Sequence, residues 1–589
     1  MFNGFIAAMI LAPLCCVTVA HAETNAVTSP LMSDTWEAVD MLGRAVNLHD
    51  DVGPPREDRT IGLFYFLWMG SHVNGGPHDV TKILAEHPEA MKDKEHPAWG
   101  PMRAMHYWGE PLFGYYLSDD PWVLRRHARM LADAQVDVVI FDVTNRHTYR
   151  DYYMALCEAF SEARKQGTQA PQIAFLCPFW DPRSTALELY RDLYEPGLYE
   201  DLWFRWDDKP LILADPAQVD DEIKDFFTFR KPVPSYFTGP DGPDQWGWLE
   251  VHPQHVYHNS RGEAEQMTVG VAQNAVDGRL GSLSEEGAHG RSFHGGRWDT
   301  RPNATWYGFN FMEQWARALE VDPRFIFITG WNEWIAMRFD EFNEIREPVM
   351  FVDQFDHEDS RDIEPMRGGH WDTYYYQMVH YIRKYKGARP QPPAGPSRTI
   401  DLNNGFEQWQ DIVPDFHNHR GSTTHRDHPG FADAGPYVDT TGRNDITLCK
   451  VAHDEDTLFF YVETSEPLTS PEGSAWMRLF VNTDGKADTG WEGFNYMLNR
   501  VSPDEEYALL ESSEDGWNWT EAARVPWHMA GNQMHVAIPR AALGLTDDAL
   551  DIRFKWADNM QHEGDIMDFT LYGDAAPPGR FVYRYYEAQ

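Results

Sequence analysis

The order of apolar and polar residues divides the chain into two parts with different periodicities. Before position 387, short apolar runs alternate with stretches in which apolar residues recur every three or four positions. The short runs predict buried strands, and the three-to-four spacing predicts amphipathic helices. The predicted strands are 61–68, 136–141, 172–175, 210–214, 267–272 and 324–329, and the clearest helices are 121–134, 309–319 and 372–386.

This alternation of strands and helices predicts an α/β fold in which a parallel sheet closes into a (β/α)8 TIM-type barrel. A doubly wound open sheet is the alternative arrangement. No G-x-G-x-x-G sequence follows a predicted strand, which disfavours a dinucleotide-binding open sheet.

Beyond position 399 the pattern changes to short strands joined by turns. Helical spacing is scarce there, and the predicted strands are 445–451, 457–463, 476–481, 506–510, 534–538 and 552–557. This pattern predicts an antiparallel β-sandwich over 400–589. The Pro- and Gly-rich residues 387–399 predict a linker, which leaves 23–386 for the barrel.

Residues 1–22 predict a signal peptide. The run is apolar, too short for a typical membrane span, and ends in an Ala-His-Ala cleavage pattern, although Lys and Arg are absent before it. Cleavage near Ala22 predicts a soluble protein that is secreted or periplasmic. Cys15 and Cys16 leave a lipoprotein as the alternative.

Composition narrows the class of partner. Aromatic residues make up 14% of the chain, including 23 Trp, and aromatic faces stack on sugar rings as well as filling cores. A formal net charge of −42 repels nucleic acid and anionic membranes. Cys157, Cys177 and Cys449 show neither a disulfide framework nor zinc-ligand spacing. The predicted partner is therefore a polysaccharide or oligosaccharide; the sequence does not specify an oligomeric state.

The strand at 324–329 leads into the sequence GWNEW, where Glu333 stands between two Trp residues. Barrel enzymes carry their active sites at the carboxyl ends of the strands. Aromatic surroundings desolvate a carboxyl group and raise its pKa, which suits an acid or base working near neutrality. Glu333 is thus the candidate catalytic residue, with Trp331 and Asn332 as substrate contacts. The alternative is a helix start with a capping Asn and a solvated Glu.

Hydrolysis of a glycosidic bond uses two carboxyl groups, so a partner for Glu333 is needed. Asp142 ends the strand at 136–141, and Asn145 follows it as a candidate substrate contact. Asp362 and Glu364 lie in the stretch 359–371, which a loop can return to the same barrel mouth. Each of these acids has a structural alternative, in which it accepts hydrogen bonds from loop amides.

Other polar and aromatic residues near predicted strand ends describe a substrate-binding rim. The candidates are Trp68, His72, His106, Trp108, Glu110 and Gln273. The Gly-rich loop 290–301 adds Arg291 and His294, and arginine binds carboxylate or sulfate groups through paired hydrogen bonds. This loop either binds an acidic sugar or is a solvated, salt-bridged loop.

Motifs for other chemistries are absent. The chain contains no H-E-x-x-H, P-loop or nucleophile elbow, so metalloprotease, kinase and serine-hydrolase functions lack support. No cofactor and no catalytic metal ion is predicted. In 482–491, Asp484 and Asp488 either hold a structural calcium ion or form a plain turn, because the spacing departs from an EF-hand.

The strand with GWNEW resembles glycoside hydrolase families 71 and 99. Residues 332–334 match their Asn-Glu-Trp, 363–365 match a later Ile-Glu-Pro, and 207–210 are similar to Asp-Gly-Lys-Pro. The resemblance implies a barrel hydrolase of α-linked glucans or mannans with Glu333 as a catalytic residue. The families' second Glu is missing, since Ile-Ala-Met occupies 335–337, so the partner of Glu333 is not carried over.

The second part resembles family 9 carbohydrate-binding modules, through residues 441–464, 482–500, 538–545 and 554–559. This resemblance implies a glycan-binding β-sandwich in which exposed Trp residues clamp sugar. The candidates are Trp491, Trp517 and Trp519.

The sequence therefore favours a secreted glycoside hydrolase that cleaves an extracellular polysaccharide. An appended glycan-binding domain holds an enzyme on a polymer, which favours endo action. One alternative is a non-catalytic glycan-binding protein, which Ala336 at the place of the families' second acid supports. The other is a lyase, in which the Arg291 loop neutralises a uronate.

Overall fold

The computed structural model describes residues 31–70, 75–545 and 549–588. The predicted signal peptide at 1–22 and the candidate substrate contact His72 lie outside these ranges. Among the described residues, no helix combines the length and the apolar character needed to cross a membrane.

A nearly closed barrel of parallel strands forms the first part, as predicted. The described strands follow one another around it in chain order, with β8 beside β1. They are β1 (Thr60–Tyr65), β2 (Val138–Asp142), β3 (Gln172–Leu176), β4 (Lys209–Leu213), β5 (Thr228–Val233), β6 (Gln245–Gly247), β7 (Ala264–Gly270) and β8 (Phe325–Thr329). The pairing of β8 with β1 excludes the open-sheet alternative.

The junction between β6 and β7 is closed by a side chain. The Gly247 N–H donates to Gln266 Oε1 and Gln266 Nε2 donates to the Gly247 carbonyl, both at 3.0 Å. Gln266 is fully buried. Its carboxamide therefore satisfies a strand edge that would otherwise leave buried backbone groups unpaired.

Both faces of the barrel strands are buried. Phe64 and Phe327 belong to the apolar cluster inside the barrel, whereas Leu63 and Ile328 belong to the cluster beneath the helices. This double burial explains why the strands appear in the sequence as continuous apolar runs rather than alternating ones. The covering helices are α1 (Pro121–Asp133), α2 (Arg150–Lys165), α3 (Arg183–Leu189), α4 (Asp221–Lys224), α5 (Phe309–Val321) and α6 (Thr373–Lys386).

Two insertions extend the carboxyl side of the barrel, one after β1 and one after β8. They meet in a four-stranded sheet in the order Ile345–Phe351, Ile335–Phe342, Met105–Tyr107 and His78–Asp79. A helix, Val80–Glu86, packs beside it. The insertion after β8 thus continues directly from the GWNEW turn.

A large antiparallel sheet forms the second part, an arrangement compatible with a sandwich or a barrel. Its described strands are Phe416–His417, Ile446–His453, Thr457–Thr464, Arg478–Asn482, Tyr496–Leu498, Tyr507–Ser512, Thr520–Ala530, Gln533–Pro539, Asp551–Asp558, Asp574–Ala576 and Tyr583–Tyr586. The long strand Thr520–Ala530 pairs with Tyr507–Ser512 on one side and Gln533–Pro539 on the other.

Buried ion pairs join the two parts. Arg580 Nε lies 2.6 Å from Asp372 Oδ2, and His419 Nε2 lies 3.0 Å from Asp133 Oδ1. Residues 387–399 form neither helix nor strand, and Ala388 within them is fully buried, with its N–H bonded to the Gly53 carbonyl.

Candidate active site

Two distant pieces of sequence meet at the carboxyl end of β8. Gly330 has a φ of +117°, and a Cβ there would lie 1.9 Å from the Arg361 carbonyl oxygen. The Ile363 N–H donates to the Gly330 carbonyl at 3.0 Å, and the Glu364 N–H donates to the Trp331 carbonyl at 3.0 Å. Glycine is therefore required at 330, because only its bare backbone lets the 361–364 segment dock on the turn.

Glu333 lies at this junction and is 6% exposed. Its Oε2 accepts hydrogen bonds from Arg361 Nε at 3.1 Å and from Gln354 Nε2 at 3.4 Å. No described residue donates a hydrogen bond to Oε1. Burial raises the pKa of Glu333 to about 8, against the opposing charge of Arg361 and with a further rise from Asp353. A carboxyl group with this pKa is largely protonated at neutral pH, so it can donate a proton.

Two further carboxyl groups share this electrostatic environment. Asp142 ends β2, is 7% exposed, and accepts a hydrogen bond from the Thr144 N–H at 2.9 Å. Burial raises the pKa of Asp142, and the charge of Asp353 raises it further. The Asp353 side chain is 48% exposed and lies 3.6 Å from Arg361 Nη2. Glu333 and Asp353 therefore contact one guanidinium group, that of Arg361, whose charge also lowers the pKa of Asp142.

Aromatic residues from other strand ends complete the mouth. Trp248 follows β6, lies 5.7 Å from Tyr236 between ring centroids, and packs 6.0 Å from the Arg361 guanidinium. Burial raises the pKa of the Tyr236 hydroxyl. The charge of Arg361 lowers that pKa, and the charges of Asp353 and Glu333 raise it. Two predicted contacts lie on the side of β1 and β2. Trp68 packs 6.2 Å from Tyr149, whose hydroxyl accepts a hydrogen bond from Asn145 at 2.5 Å.

Asp362 lies next to Glu333, as the sequence suggested, and binds its backbone. Its Oδ1 accepts the Glu333 backbone N–H at 2.6 Å, and its Oδ2 accepts Trp108 Nε1 at 2.6 Å. The residue is fully buried. Asp362 thus positions the Glu333 backbone with both of its oxygens, and a catalytic role for Asp362 stays a prediction.

Glu364 likewise makes structural contacts, and a catalytic role for it stays a prediction. Its oxygens accept Trp334 Nε1 at 2.5 Å and Tyr116 Oη at 2.7 Å, and Oε1 lies 2.9 Å from His127 Nε2. His127 in turn contacts Tyr65 Oη at 2.7 Å. Glu364 is fully buried, so it joins the β8 turn to β1 and α1.

The neighbours of Glu333 in GWNEW make contacts within the protein. Asn332 Oδ1 accepts the Phe66 N–H at 2.8 Å and its Nδ2 donates to the Phe66 carbonyl at 3.2 Å, so the amide fastens the turn to β1. Trp331 is fully buried under the helices, with its ring 5.4 Å from His127. Trp108 is fully buried and stacked on Trp334 at 4.7 Å. Trp331, Asn332 and Trp108 are all buried, and their roles as substrate contacts stay predictions.

Four other predicted rim residues are used internally. His106 places its two ring nitrogens 2.9 Å from the Ala104 and Trp99 carbonyls. Gln273 exchanges amide hydrogen bonds with Asn310. Glu110 pairs with Lys82 in the insertion after β1, and His294 lies 3.1 Å from the Ser292 carbonyl in the loop between β7 and β8.

Arg291 does not face a sugar carboxylate. It is fully buried, donates to Ser360 Oγ at 3.1 Å and to the Asp362 carbonyl at 2.8 Å, and packs 5.2 Å from Trp108. The donors of Arg291 thus go to protein acceptors, and the acidic-sugar site in this loop stays a prediction. Arg291 instead stabilises the segment that holds Asp362.

The position of the families' second acid is closed to chemistry. Ala336 pairs with His106 in the insertion sheet and is buried with Val349 and Phe351. A carboxyl group there would be desolvated among apolar side chains.

The sequence did not identify several residues of the mouth. Asp353 and Gln354 follow the strand Ile345–Phe351. The sequence does not show that this insertion folds back onto the barrel. Trp180 stands just beyond β3, and its signal was available: an aromatic pair directly after a predicted barrel strand. Arg361 also escaped assignment, although it neighbours Asp362.

In the second part, Trp491 is a core residue. It is 4% exposed and packs among Phe480, Phe494 and Phe569. Trp517 and Trp519 are half-buried at the edge of this cluster, with Trp517 Nε1 donating to Glu563 at 3.3 Å.

The predicted calcium loop is held together by its own bonds. Asp484 Oδ1 accepts the Lys486 N–H at 3.0 Å, and Thr489 Oγ1 donates to Asp484 Oδ2 at 2.9 Å. Within the described ranges, the group of three side chains spaced to hold a metal ion is His87, Glu89 and His96, on the first insertion. Calcium at Asp484 and Asp488 stays a prediction.

No protein-family model and no curated protein matches the chain. Two structures of the GH99 endo-α-mannosidase from Bacteroides thetaiotaomicron, one with BIS-TRIS-propane, are 17% and 16% identical to it. They cover 56% of this chain and 97% and 99% of theirs, with TM-scores of 0.32 and 0.34. A glycoside hydrolase-like protein is 11% identical, covering 56% of this chain and 96% of its own, with a TM-score of 0.30. At these values the likeness assigns no activity to this chain.

Proposed function

We propose that the protein is a glycoside hydrolase, with Glu333 as proton donor and Asp142 as the second carboxyl group. The observation that carries the proposal is the Glu333 carboxyl group at the barrel mouth, buried, raised in pKa to about 8, and coupled to further acids. Protonation of the leaving oxygen by one carboxyl group, with a second one ionised, is the chemistry of glycosidic bond cleavage.

The charge of the mouth supports a neutral substrate. With Glu333 protonated, the negative charges of Asp142 and Asp353 outnumber the one positive charge of Arg361, so the surroundings favour the positive charge that develops on a sugar ring during cleavage. The same charge repels a uronate. This balance and the burial of Arg291 argue against the lyase alternative, which needs a cationic residue free to neutralise a sugar carboxylate.

The non-catalytic alternative keeps one observation in its favour, the burial of Ala336 at the place of the families' second acid. Under that alternative the protein binds glycan and releases no product. Against that alternative stands Asp142, a buried acid from a different strand on which Arg361 and Asp353 act electrostatically, as they do on Glu333.

The remaining parts of the proposal follow from the sequence. We propose that 1–22 direct the protein to the cell exterior or periplasm, that 23–386 are catalytic, and that 400–589 bind glycan behind the linker 387–399. Binding by the second part would favour endo action on a polymer.

The test is Glu333→Gln in the full-length protein, assayed on a panel of neutral and acidic polysaccharides with mass spectrometry of the products. The panel includes α-mannan, because two of the solved structures above are endo-α-mannosidases. We expect saccharide release by the wild-type protein and a fall in kcat of about 10²–10⁴-fold in the variant, the range for a general acid. The exposed loop residue Glu286 supplies the control, Glu286→Gln.

Release of unsaturated uronates would establish elimination instead, and undiminished turnover by the Glu333→Gln variant would remove Glu333 from the reaction. No release from any polysaccharide, together with binding, would establish the non-catalytic alternative.

A further inference from the structure

A tryptophan stands exposed at the rim of the barrel mouth. Trp180 follows β3 at the carboxyl side of the barrel and is 75% exposed, the largest value among the exposed large apolar side chains of the described residues. Tryptophan is highly buried on average in folded proteins, so an indole held in water at the mouth of a barrel points to contact with a ligand.

A row of aromatic rings connects Trp180 to the catalytic carboxyl group. The Trp180 ring lies 5.8 Å from Phe179, and Phe179 lies 6.0 Å from Trp248. Trp248 packs 6.0 Å from the Arg361 guanidinium, which binds Glu333 at 3.1 Å. The rings come from the ends of β3 and β6, so the row runs along one side of the mouth, from its rim to its floor.

Further contacts hold the row of rings in place, and one of its indole N–H groups lacks a hydrogen-bond partner among the described residues. Trp248 also packs 6.0 Å from Phe64 of β1, and Thr329 Oγ1 donates to the Trp248 carbonyl. The Trp248 indole N–H is buried and has no hydrogen-bond partner among the described residues. Beside Trp180, the Asp181 carboxylate lies 3.3 Å from Arg146, and both side chains are more than half exposed. Polar groups therefore adjoin the exposed indole face.

We propose that Trp180 is a stacking platform for one pyranose ring of a neutral glycan chain. The apolar C–H face of the sugar covers the indole, and Arg146 and Asp181 meet hydroxyl groups at the edge of the ring. Two aromatic rings and Arg361 separate the platform from Glu333, so the ring it holds is not one of the two joined by the bond that is cleaved. This inference rests on the proposed function for the position of the cleaved bond, and on geometry alone for the platform.

The platform predicts a dependence on chain length. A substrate long enough to reach Trp180 gains the stacking contact, whereas the shortest cleavable oligosaccharide does not. Loss of the indole therefore raises KM for the polymer and leaves kcat/KM for that oligosaccharide unchanged. A merely structural role for Trp180 would lower kcat/KM for the polymer and for the short oligosaccharide together.

The experiment uses full-length Trp180→Ala, Trp180→Phe and Trp180→Tyr proteins. Binding is measured by affinity electrophoresis in gels containing α-mannan, dextran, starch, laminarin, xylan or galactan. We expect at least one polymer to retard the wild-type protein and Trp180→Ala to weaken that binding about tenfold, the effect of losing one stacking contact. Trp180→Phe and Trp180→Tyr should restore most of it. Met312→Ala is the control, since Met312 is 37% exposed on helix α5, outside the barrel mouth and outside the second part.

Each failure has its own signature. Equal retardation of the wild-type and Trp180→Ala proteins in every gel, or no retardation of the wild-type protein at all, would overturn the platform, whatever Glu333 does. Binding that depends on Trp180 without release of any saccharide would preserve the platform and overturn the proposed hydrolase. If Trp180→Ala unfolds, retained binding by Trp180→Phe decides, because the phenyl ring keeps the stacking face.

Discussion

At the scale of single residues, the chemistry of the mouth depends on how far each carboxyl group is removed from water. Glu333 and Asp142 are both buried, and burial raises the pKa of each. Asp353 remains half exposed and acts on both through its charge. Proton donation needs the protonated form of Glu333, and the partner role needs the ionised form of Asp142.

This division of roles predicts a bell-shaped pH profile. The protonated fraction of Glu333 falls as pH rises through about 8, so kcat/KM declines there. On the acid side, kcat/KM declines as Asp142 becomes protonated, at a pH above that of an ordinary aspartate because burial raises its pKa. The measurement is kcat/KM against pH on a polysaccharide that the protein cleaves. Undiminished kcat/KM well above pH 8 would show that Glu333 does not act as the proton donor.

The charge of Asp353 predicts a shift of that profile. Asp353→Asn removes a negative neighbour of Glu333 and Asp142, which lowers the pKa of both. Both limbs of the kcat/KM profile should therefore move to lower pH. Asp340→Asn is the control, because the Asp340 side chain is 46% exposed and lies in the insertion hairpin. An unchanged alkaline limb in Asp353→Asn would exclude the electrostatic coupling.

The structural role of Glu364 can be tested by measuring the free energy of unfolding. Glu364→Gln removes the charge that three buried donors share, and we expect a loss of about 3 kcal/mol in the free energy of unfolding. Asp142→Asn retains an acceptor for the Thr144 N–H and should cost less than about 1 kcal/mol while abolishing turnover. Denaturant unfolding compares the two. A stable, inactive Glu364→Gln protein would return Glu364 to the catalytic residues.

At the scale of elements, the site is built by docking one loop on one turn. The β8 turn is open at Gly330, and the 361–364 segment fills that opening with backbone hydrogen bonds. Arg361 and Asp362 reach Glu333 only through this docking. The insertion Ile335–Phe351 forms an antiparallel hairpin, which returns the chain to the barrel mouth.

Gly330→Ala should therefore damage stability and activity together. The added Cβ would meet the Arg361 carbonyl at 1.9 Å, a backbone atom that cannot turn aside. We expect a loss of at least about 3 kcal/mol in unfolding free energy, from strain plus displacement of the segment, and loss of turnover. Gly262→Ala is the matched control, with a φ of +78° and nothing within 4 Å of the new Cβ, for which only about 1–2 kcal/mol is expected. Equal losses in the two variants would show that the docking contact is unimportant.

The elements themselves were largely predictable where their pattern was strong. The predicted helix 121–134 appears as Pro121–Asp133, and the predicted strand 324–329 appears as Phe325–Thr329. Strand β6, Gln245–Gly247, was missed because three residues containing Gly carry too little periodicity. The strand Thr520–Ala530 was missed because its side chains are mostly exposed or half-buried and so show no apolar run.

At the scale of the whole molecule, the barrel and the antiparallel sheet share buried charges. Arg580 and Asp372 are each about 5% exposed as side chains and bind each other at 2.6 Å. Arg426 Nη2 lies 2.7 Å from Asp120 Oδ2, a carboxylate that also caps helix α1. Such contacts connect the unfolding of one part to that of the other.

Asp372→Asn should consequently lower the stability of both parts at once. It leaves the Arg580 charge buried with Glu492 alone, 3.3 Å away, at a cost of about 3–5 kcal/mol. Differential scanning calorimetry should show one transition, moved to lower temperature. The exposed pair Lys94–Asp340 gives the comparison, because Asp340→Asn should change the free energy of unfolding by less than about 1 kcal/mol. Two transitions, with one unmoved, would contradict the coupling.

The sequence by itself determined the class of the first part and the place of its chemistry. Apolar runs buried on both faces specify parallel barrel strands, and GWNEW after the last of them located Glu333, because those signals lie in contiguous residues. Only the tertiary structure decided which acids accompany Glu333. Asp362 and Glu364 look catalytic in sequence but are enclosed by indole and hydroxyl donors. Asp353, from the insertion after β8, instead acts through its charge on Glu333 and on Asp142 at the end of β2. The physical reason is that a carboxyl group's role depends on its solvation and its partners, and both are fixed by loops that meet only after folding.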